Sequence, residues 1–197
     1  MDAAQAPLSV GADEIGPVYG NTPADLQGRA YRVAVHPLYN PAKLLRAYQP
    51  LIDHLQRELP GHRFQLEASR DYAAFERKLQ RREPDLLLPN PWQTLRAIEV
   101  GYSVIAMAGE ADDFKGLILV RRDARIEQPA DLKDQTLSCP SPTALAACIM
   151  PQYHLYQAGL KAGVDYKTLY VGSQESSILS VYQGRSVAAA SWPPPWR

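Results

Sequence analysis

The residues best suited to chemistry in this chain are small polar ones at the starts of helices. Asn40-Pro41, Asn90-Pro91 and Ser141-Pro142 each pair a good N-cap with a proline suited to the first helical position, and Ser173 before QESSIL adds a fourth cap. Ser69 before RDYAAF reads as a fifth, and Gln93 stands where a capping box wants it. Unpaired N–H groups and the positive end of a helix dipole favour an anion or a strongly polar acceptor. A single cap needs no role beyond stopping a helix from fraying, so the weight lies in the coincidence with aromatic residues. Tyr39, Tyr72 and Trp92 each sit within a few residues of a cap, where large side chains with polar handles can wall a small pocket. Ser173, Gln174, Glu175 and Ser176 form a compact polar cluster at another helix start. Together these residues point to capture of a small polar or anionic molecule.

Signals for other chemistry are missing. There is no G-x-G-x-x-G, P-loop, G-x-S-x-G or H-E-x-x-H, and the histidines at 36, 54, 62 and 154 are scattered. Cys139 and Cys148 lack metal-ligand spacing and read as small buried side chains, so no metal and no cofactor is expected. His36 ends the first strand and is the one histidine placed to face a cleft. The expectation is a binder and not an enzyme. One rival is an enzyme on the same fold working through Glu175, His36 or Cys139; the other is an interaction module whose cleft is filled by its own side chains.

Positioning these residues requires repeated strand-to-helix turns, and the pattern supplies them. YRVAV precedes the helical PAKLLRAYQPLIDHLQREL, interrupted by Pro50; RFQLEA precedes DYAAFERKLQRR; DLLLP precedes PWQTLRAIEV. YSVIAMAG and FKGLILVRR read as two further strands. TLSCP, a helix PTALAACIMPQYHLYQAGL that Pro151 should kink, TLYVG, QESSILSVYQG and SVAAASW continue the alternation. The predicted architecture is α/β, a two-lobed fold of mostly parallel sheets with helices on both faces. Residues 1–29 read as a loosely held leader, 30–122 as the first lobe, 123–130 as a hinge link and 131–197 as a second, abbreviated lobe. Facing lobes of this kind hold ligands beyond the strand ends that feed the helices.

Composition narrows the partners. Across 197 residues Lys plus Arg equals Asp plus Glu at 21 each, without a run of like charge, so no nucleic-acid footprint is visible. No stretch is apolar for long enough to cross a bilayer, and MDAAQAPLS lacks the basic and apolar regions of a signal peptide. The first Met therefore reads as standing after a removed leader.

VAVHPLYNPAKLLRAYQPLIDHLQREL, EASRDYAAFERKL and DLLLPNPWQTLRAIEVGY, followed by ADLKDQTLSCPSPTALAACIMPQYHLYQAGL and YVGSQESSILSVYQG, resemble the phosphate/phosphite/phosphonate class of periplasmic solute-binding proteins, of the type II binding-protein fold. The resemblance runs from about Tyr31 to the end. It implies that Tyr72 matches an aromatic ligand contact, that Gln174 stands where phosphonate binders carry a histidine, and that Glu175 and Ser176 match its polar neighbours. The hydroxyl-rich turn that grips a phosphonate is here Thr143-Ala144-Leu145-Ala146, nearly stripped of hydroxyls. The family's chain continues past this point, so the sequence reads as a fragment of a longer protein. The expected ligand set is Tyr39, Tyr72, Asn90, Trp92, Ser141, Thr143, Gln174, Glu175 and Ser176. The expected partners are a small phosphate- or phosphonate-like ligand and either an ABC transporter permease or a fused or partner signalling domain, in the periplasm, with no nucleic acid and no membrane insertion.

Overall fold

Strand β1, Ala30–Val35, is buried on both sides, and that sets the layering of the first half. Val33 and Val35 face Leu44 and Ile52 of helix α1 (Pro41–Glu58), together with Phe64 and Leu66 of β2 (Arg63–Glu67). Ala34 faces the other way, onto Phe75 and Leu79 of α2 (Tyr72–Gln80) and Ala97 of α3 (Pro91–Glu99). Alternation along one strand thus feeds two separate apolar layers. With β3 (Leu86–Leu88) the strands form a parallel sheet in the order β2-β1-β3. The computed structural model describes residues 30–107 and 114–193; the expected leader and the WPPPWR tail beyond Pro193 lie outside the described residues.

The second sheet has the order β4-β7-β5-β6, from β4 (Leu117–Val120), β5 (Thr136–Cys139), β6 (Lys167–Tyr170) and β7 (Ala188–Ser191). Only β4 runs antiparallel, against β7. One face carries Leu137, Cys139, Ala188 and Ala190 against Cys148 and against Leu155 of α4 (Met150–Gln157). Under α5 (Gln174–Tyr182) the layer is built of serines. Ser177 Oγ donates to the Ser138 carbonyl and Ser138 Oγ to the Ser177 carbonyl, both at 2.9 Å, and Ser186 Oγ donates to Ser138 Oγ at 3.0 Å. Small side chains with satisfied hydroxyls let this helix lie close to its sheet.

Several expectations are corrected. FKGLILVRR, assigned to the first lobe, forms β4 in the second sheet. The link 123–130 joins two strands of that same sheet, so the chain passes between sheets before β4 and not after it. Residues 102–107 of YSVIAMAG are not a strand, because no described strand pairs with them; Val104, Ile105 and Met107 are 62%, 83% and 78% exposed. Pro50 does not interrupt α1, which absorbs it on its exposed face. Ser69 is not a cap: Asp71 takes that place at α2, accepting from the Ala74 N–H at 2.8 Å.

The helix after β5 also starts late. Residues 145–149 form a π turn, in which the Ile149 N–H reaches the Ala144 carbonyl at 3.1 Å, and α4 follows. Pro151 has no amide hydrogen, and the wider turn leaves it at the first turn of α4, where none is needed. Ser141-Pro142 therefore stands in a turn ahead of the helix and caps nothing. Gly116 lies against this turn: an added Cβ would meet the Ala146 carbonyl oxygen at 2.8 Å and Pro151 Cδ at 2.9 Å. Gly116→Ala is expected to lower the unfolding free energy by about 1–3 kcal/mol in urea melts.

Candidate functional site

The two sheets meet at the helix starts. Tyr72 opens α2, yet its ring is 2% exposed and packs in the apolar cluster of the second sheet, beside Ala144 and Cys148. Its backbone N–H donates to the Gly172 carbonyl at 3.1 Å, and its Oη accepts from Gln174 Nε2 at 3.0 Å. Burial holds the phenol protonated, far above the ordinary tyrosine value, against the opposing pull of Gln174 and Asn90. Gly172 adopts a φ of +85°, and a Cβ there would stand 3.1 Å from Asp71 Cβ, so a side chain would press on the loop leading into α2.

Two polar bridges flank Tyr72. In the first, the Asn40 N–H and Nδ2 each donate to Glu175 Oε2 at 2.9 Å, Lys43 Nζ donates to Oε1 at 3.3 Å, and the Glu175 N–H donates to the Leu38 carbonyl. Burial pushes the Glu175 carboxyl upward, but the hydrogen bonds from Asn40 and Lys43 prevail and leave it below the ordinary value. Asn40 Oδ1 meanwhile caps α1 by accepting from the Lys43 N–H at 3.0 Å. In the second bridge, Asn90 Nδ2 donates to the Thr143 carbonyl at 3.1 Å and Thr143 Oγ1 donates to Glu76 Oε1. Ser141 Oγ lies 2.9 Å from Thr143 Oγ1, and Gln93 Nε2 donates to Glu76 at 3.3 Å. The capping box expected at Asn90 and Gln93 is present.

Of the nine expected ligand residues, Tyr72, Asn90, Ser141, Thr143, Gln174 and Glu175 belong to this junction. Ser176 is drawn into the cap of α5, its N–H donating to Ser173 Oγ at 3.2 Å. Tyr39 lies under Lys43 Nζ at 4.4 Å, while the ring of Trp92 is covered by Arg96 at 5.7 Å, one helical turn along. Asn40, Lys43 and Glu76 were missed as bridge residues. Asn40 had its cap signal, but Lys43 and Glu76 look like ordinary helix-surface charges until a second sheet faces them.

The caps, bridges and core account for most polar groups here, and three buried atoms have no partner among the described residues: His36 Nε2, Ser69 Oγ and Gln174 Oε1. His36 stands edge-on to Tyr72, with ring centres 6.1 Å apart. Cys139 is buried and hydrogen-bonded to Cys148, which with desolvation drives its thiol strongly upward and away from nucleophilic character. Among the described residues no three His, Cys, Asp or Glu side chains gather where they could hold an ion. A groove of about 670 Å³ lies elsewhere, along the free edge of β3 beside Tyr102, Val104 and Ile105, and contains none of the nine residues.

The profile of a family described as "ABC transporter, phosphonate, periplasmic substrate-binding protein" matches residues 33–196. The chain belongs to this family. Solved structures agree on the fold. A methylphosphonate complex of a binding protein from Prochlorococcus marinus superposes with a TM-score of 0.73 at 20% identity, over 85% of this chain and 65% of that one. A binding protein component of an ABC phosphonate transporter from Pseudomonas aeruginosa gives 0.72 at 15% identity, over 89% and 59%. The periplasmic aliphatic sulphonate binding protein of Escherichia coli gives 0.54 at 19%, over 86% and 53%. The chain thus spans about three-fifths of the length of such receptors, as a partial binding-protein fold. The family and these neighbours are substrate-binding proteins. No described helix is long and apolar enough to cross a membrane.

The buried His36 makes stability depend on pH. Desolvation lowers its pKa from 6.5 to about 4, outweighing the opposing hydrogen bond to Leu88. Between those values the unfolded chain binds the extra proton, so stability is full above about pH 6.5 and falls as pH drops toward 4. Chemical denaturation at pH 7 and near pH 4.5 is expected to show a loss of about 2–3 kcal/mol from this group, and His36→Asn should flatten that part of the profile.

Proposed function

We propose that this chain is the solute-capturing part of a periplasmic ABC transporter receptor, closing on a small polar or anionic, phosphonate-like molecule without chemistry. The observation that carries this reading is Tyr72. A side chain from the first sheet's helix completes the core of the second, and it lies against buried polar atoms from both, His36 on one side and Gln174 on the other. A ligand held there touches both sheets at once and favours the closed arrangement over the open one. The flanking bridges through Glu175 and Glu76 are hydrogen bonds and an ion pair at partly exposed positions, which part and re-form at modest cost. Ligand delivery to a membrane permease follows from the family's transport role, and the periplasm is the compartment in which such a receptor meets its solute.

A thermal-shift screen of phosphate, phosphite, alkylphosphonates and alkylsulfonates tests the reading. A true ligand at a hundredfold excess over its Kd stabilises by about 2.7 kcal/mol. At least one of these oxyanions should raise Tm, with Tyr72→Ala and Gln174→Ala each weakening its binding by about tenfold or more, the usual scale for a lost buried contact. No shift with any oxyanion, or unchanged affinity in both variants, removes the assignment.

A further inference from the structure

His36 is a buried group at the junction that the fold satisfies on one ring nitrogen only. Its Nδ1 lies 3.0 Å from the Leu88 carbonyl oxygen. A carbonyl only accepts, so Nδ1 carries the ring hydrogen and Nε2 is left as a bare acceptor. The residue is 7% exposed, Nε2 has no partner among the described residues, and the ring stands against Tyr72 at the centre of the junction. Desolvation keeps the imidazole neutral, its pKa lowered to about 4.

The charged and titratable groups around the junction are already committed. Glu76 on α2 takes Thr143 and Gln93; Glu175 on α5 takes Asn40 and Lys43 of α1. Glu67 on β2 pairs with Arg32 of β1 and Lys78 of α2, and Asp71 with Arg70. From β3 the contact is the Leu88 carbonyl, and from α2 the Tyr72 phenol, which stays protonated. None of these supplies a hydrogen to Nε2.

We propose that His36 is a specificity-determining residue of the cleft: the oxyanion it admits carries a hydrogen on the oxygen facing Nε2, as a singly protonated phosphonate does and a sulfonate does not. The proposal rests on the reading of the junction as an oxyanion site. No covalent bond forms or breaks; the ligand O–H donates to the imidazole. A sulfonate brings no hydrogen, so its oxygen meets a lone pair unless a proton from solvent is first placed on Nε2. Above the pKa of the buried ring that protonation becomes less favourable by about tenfold for each pH unit.

Isothermal titration of the protein with methylphosphonate and methanesulfonate, between about pH 5 and pH 8 and in buffers of different ionisation enthalpy, distinguishes the cases. Methylphosphonate is expected to hold its affinity while it remains a monoanion and to weaken only where its second proton is lost. Methanesulfonate is expected to bind more weakly, to lose about tenfold in affinity per pH unit, and to draw one proton from the buffer for each ligand bound. His36→Asn, which removes Nε2, should erase the proton uptake and narrow the gap between the two ligands by about tenfold. The proton count on the unaltered protein stands as a separate measurement if the variant folds poorly. Equal affinities with no proton uptake overturn this proposal and leave the oxyanion site standing. Failure of both ligands to bind overturns the proposal, and the oxyanion reading falls with it where phosphate and phosphite also fail to shift Tm.

Discussion

The burial of Tyr72 across the junction is the interaction on which the rest of the arrangement depends. The residue belongs to the first sheet by sequence and to the second by packing, where it shares one apolar cluster with Ala144 and Cys148. Full burial of an aromatic ring of this size contributes on the order of 2–3 kcal/mol. Its two hydrogen bonds, to Gly172 and Gln174, tie the same contact to the start of α5. The contact therefore bears on the relation between the sheets and not on one of them.

Around that contact the structure uses helix caps for a second purpose. Asn40 caps its own helix with Oδ1, while its Nδ2 and its backbone N–H donate to Glu175 of the other half. Asn90 accepts from Gln93 within its own helix and donates to Thr143 across the junction. Each amide side chain has one acceptor and two donors, and a cap requires only the acceptor. The helix mouths are consequently filled by the protein's own groups, while His36 Nε2, Ser69 Oγ and Gln174 Oε1 are left without a partner among the described residues.

The alternation of strand and helix was legible because burial imposes a period. Val33 and Val35 against Ala34, and the spacing of Leu44 and Ile52, are patterns that only a two-sided sheet and an amphipathic helix produce. The caps at Asn40, Asn90 and Ser173 were legible for a similarly local reason, since a cap bonds to an amide three residues away. Ser69 and Ser141 misled because another residue or another turn geometry took the role: Asp71 caps α2, and a π turn over residues 145–149 precedes α4. YSVIAMAG has strand composition, but composition cannot supply the neighbour that a strand needs.

By itself the sequence determined the α/β alternation and the helix starts at Asn40, Asn90 and Ser173, and it named Tyr72 and Gln174 among the candidates for one site. These rest on interactions within a few residues of chain or on a resemblance carried by ordered motifs. Tertiary structure decided that β4 joins the second sheet, that Glu76, Lys43 and Asn40 become bridges, and that one nitrogen of His36 is left without a hydrogen to accept. Those outcomes rest on groups far apart in the chain, 52 positions between His36 and Leu88 and 135 between Asn40 and Glu175. Such meetings are set by how two sheets face each other, which no local period encodes.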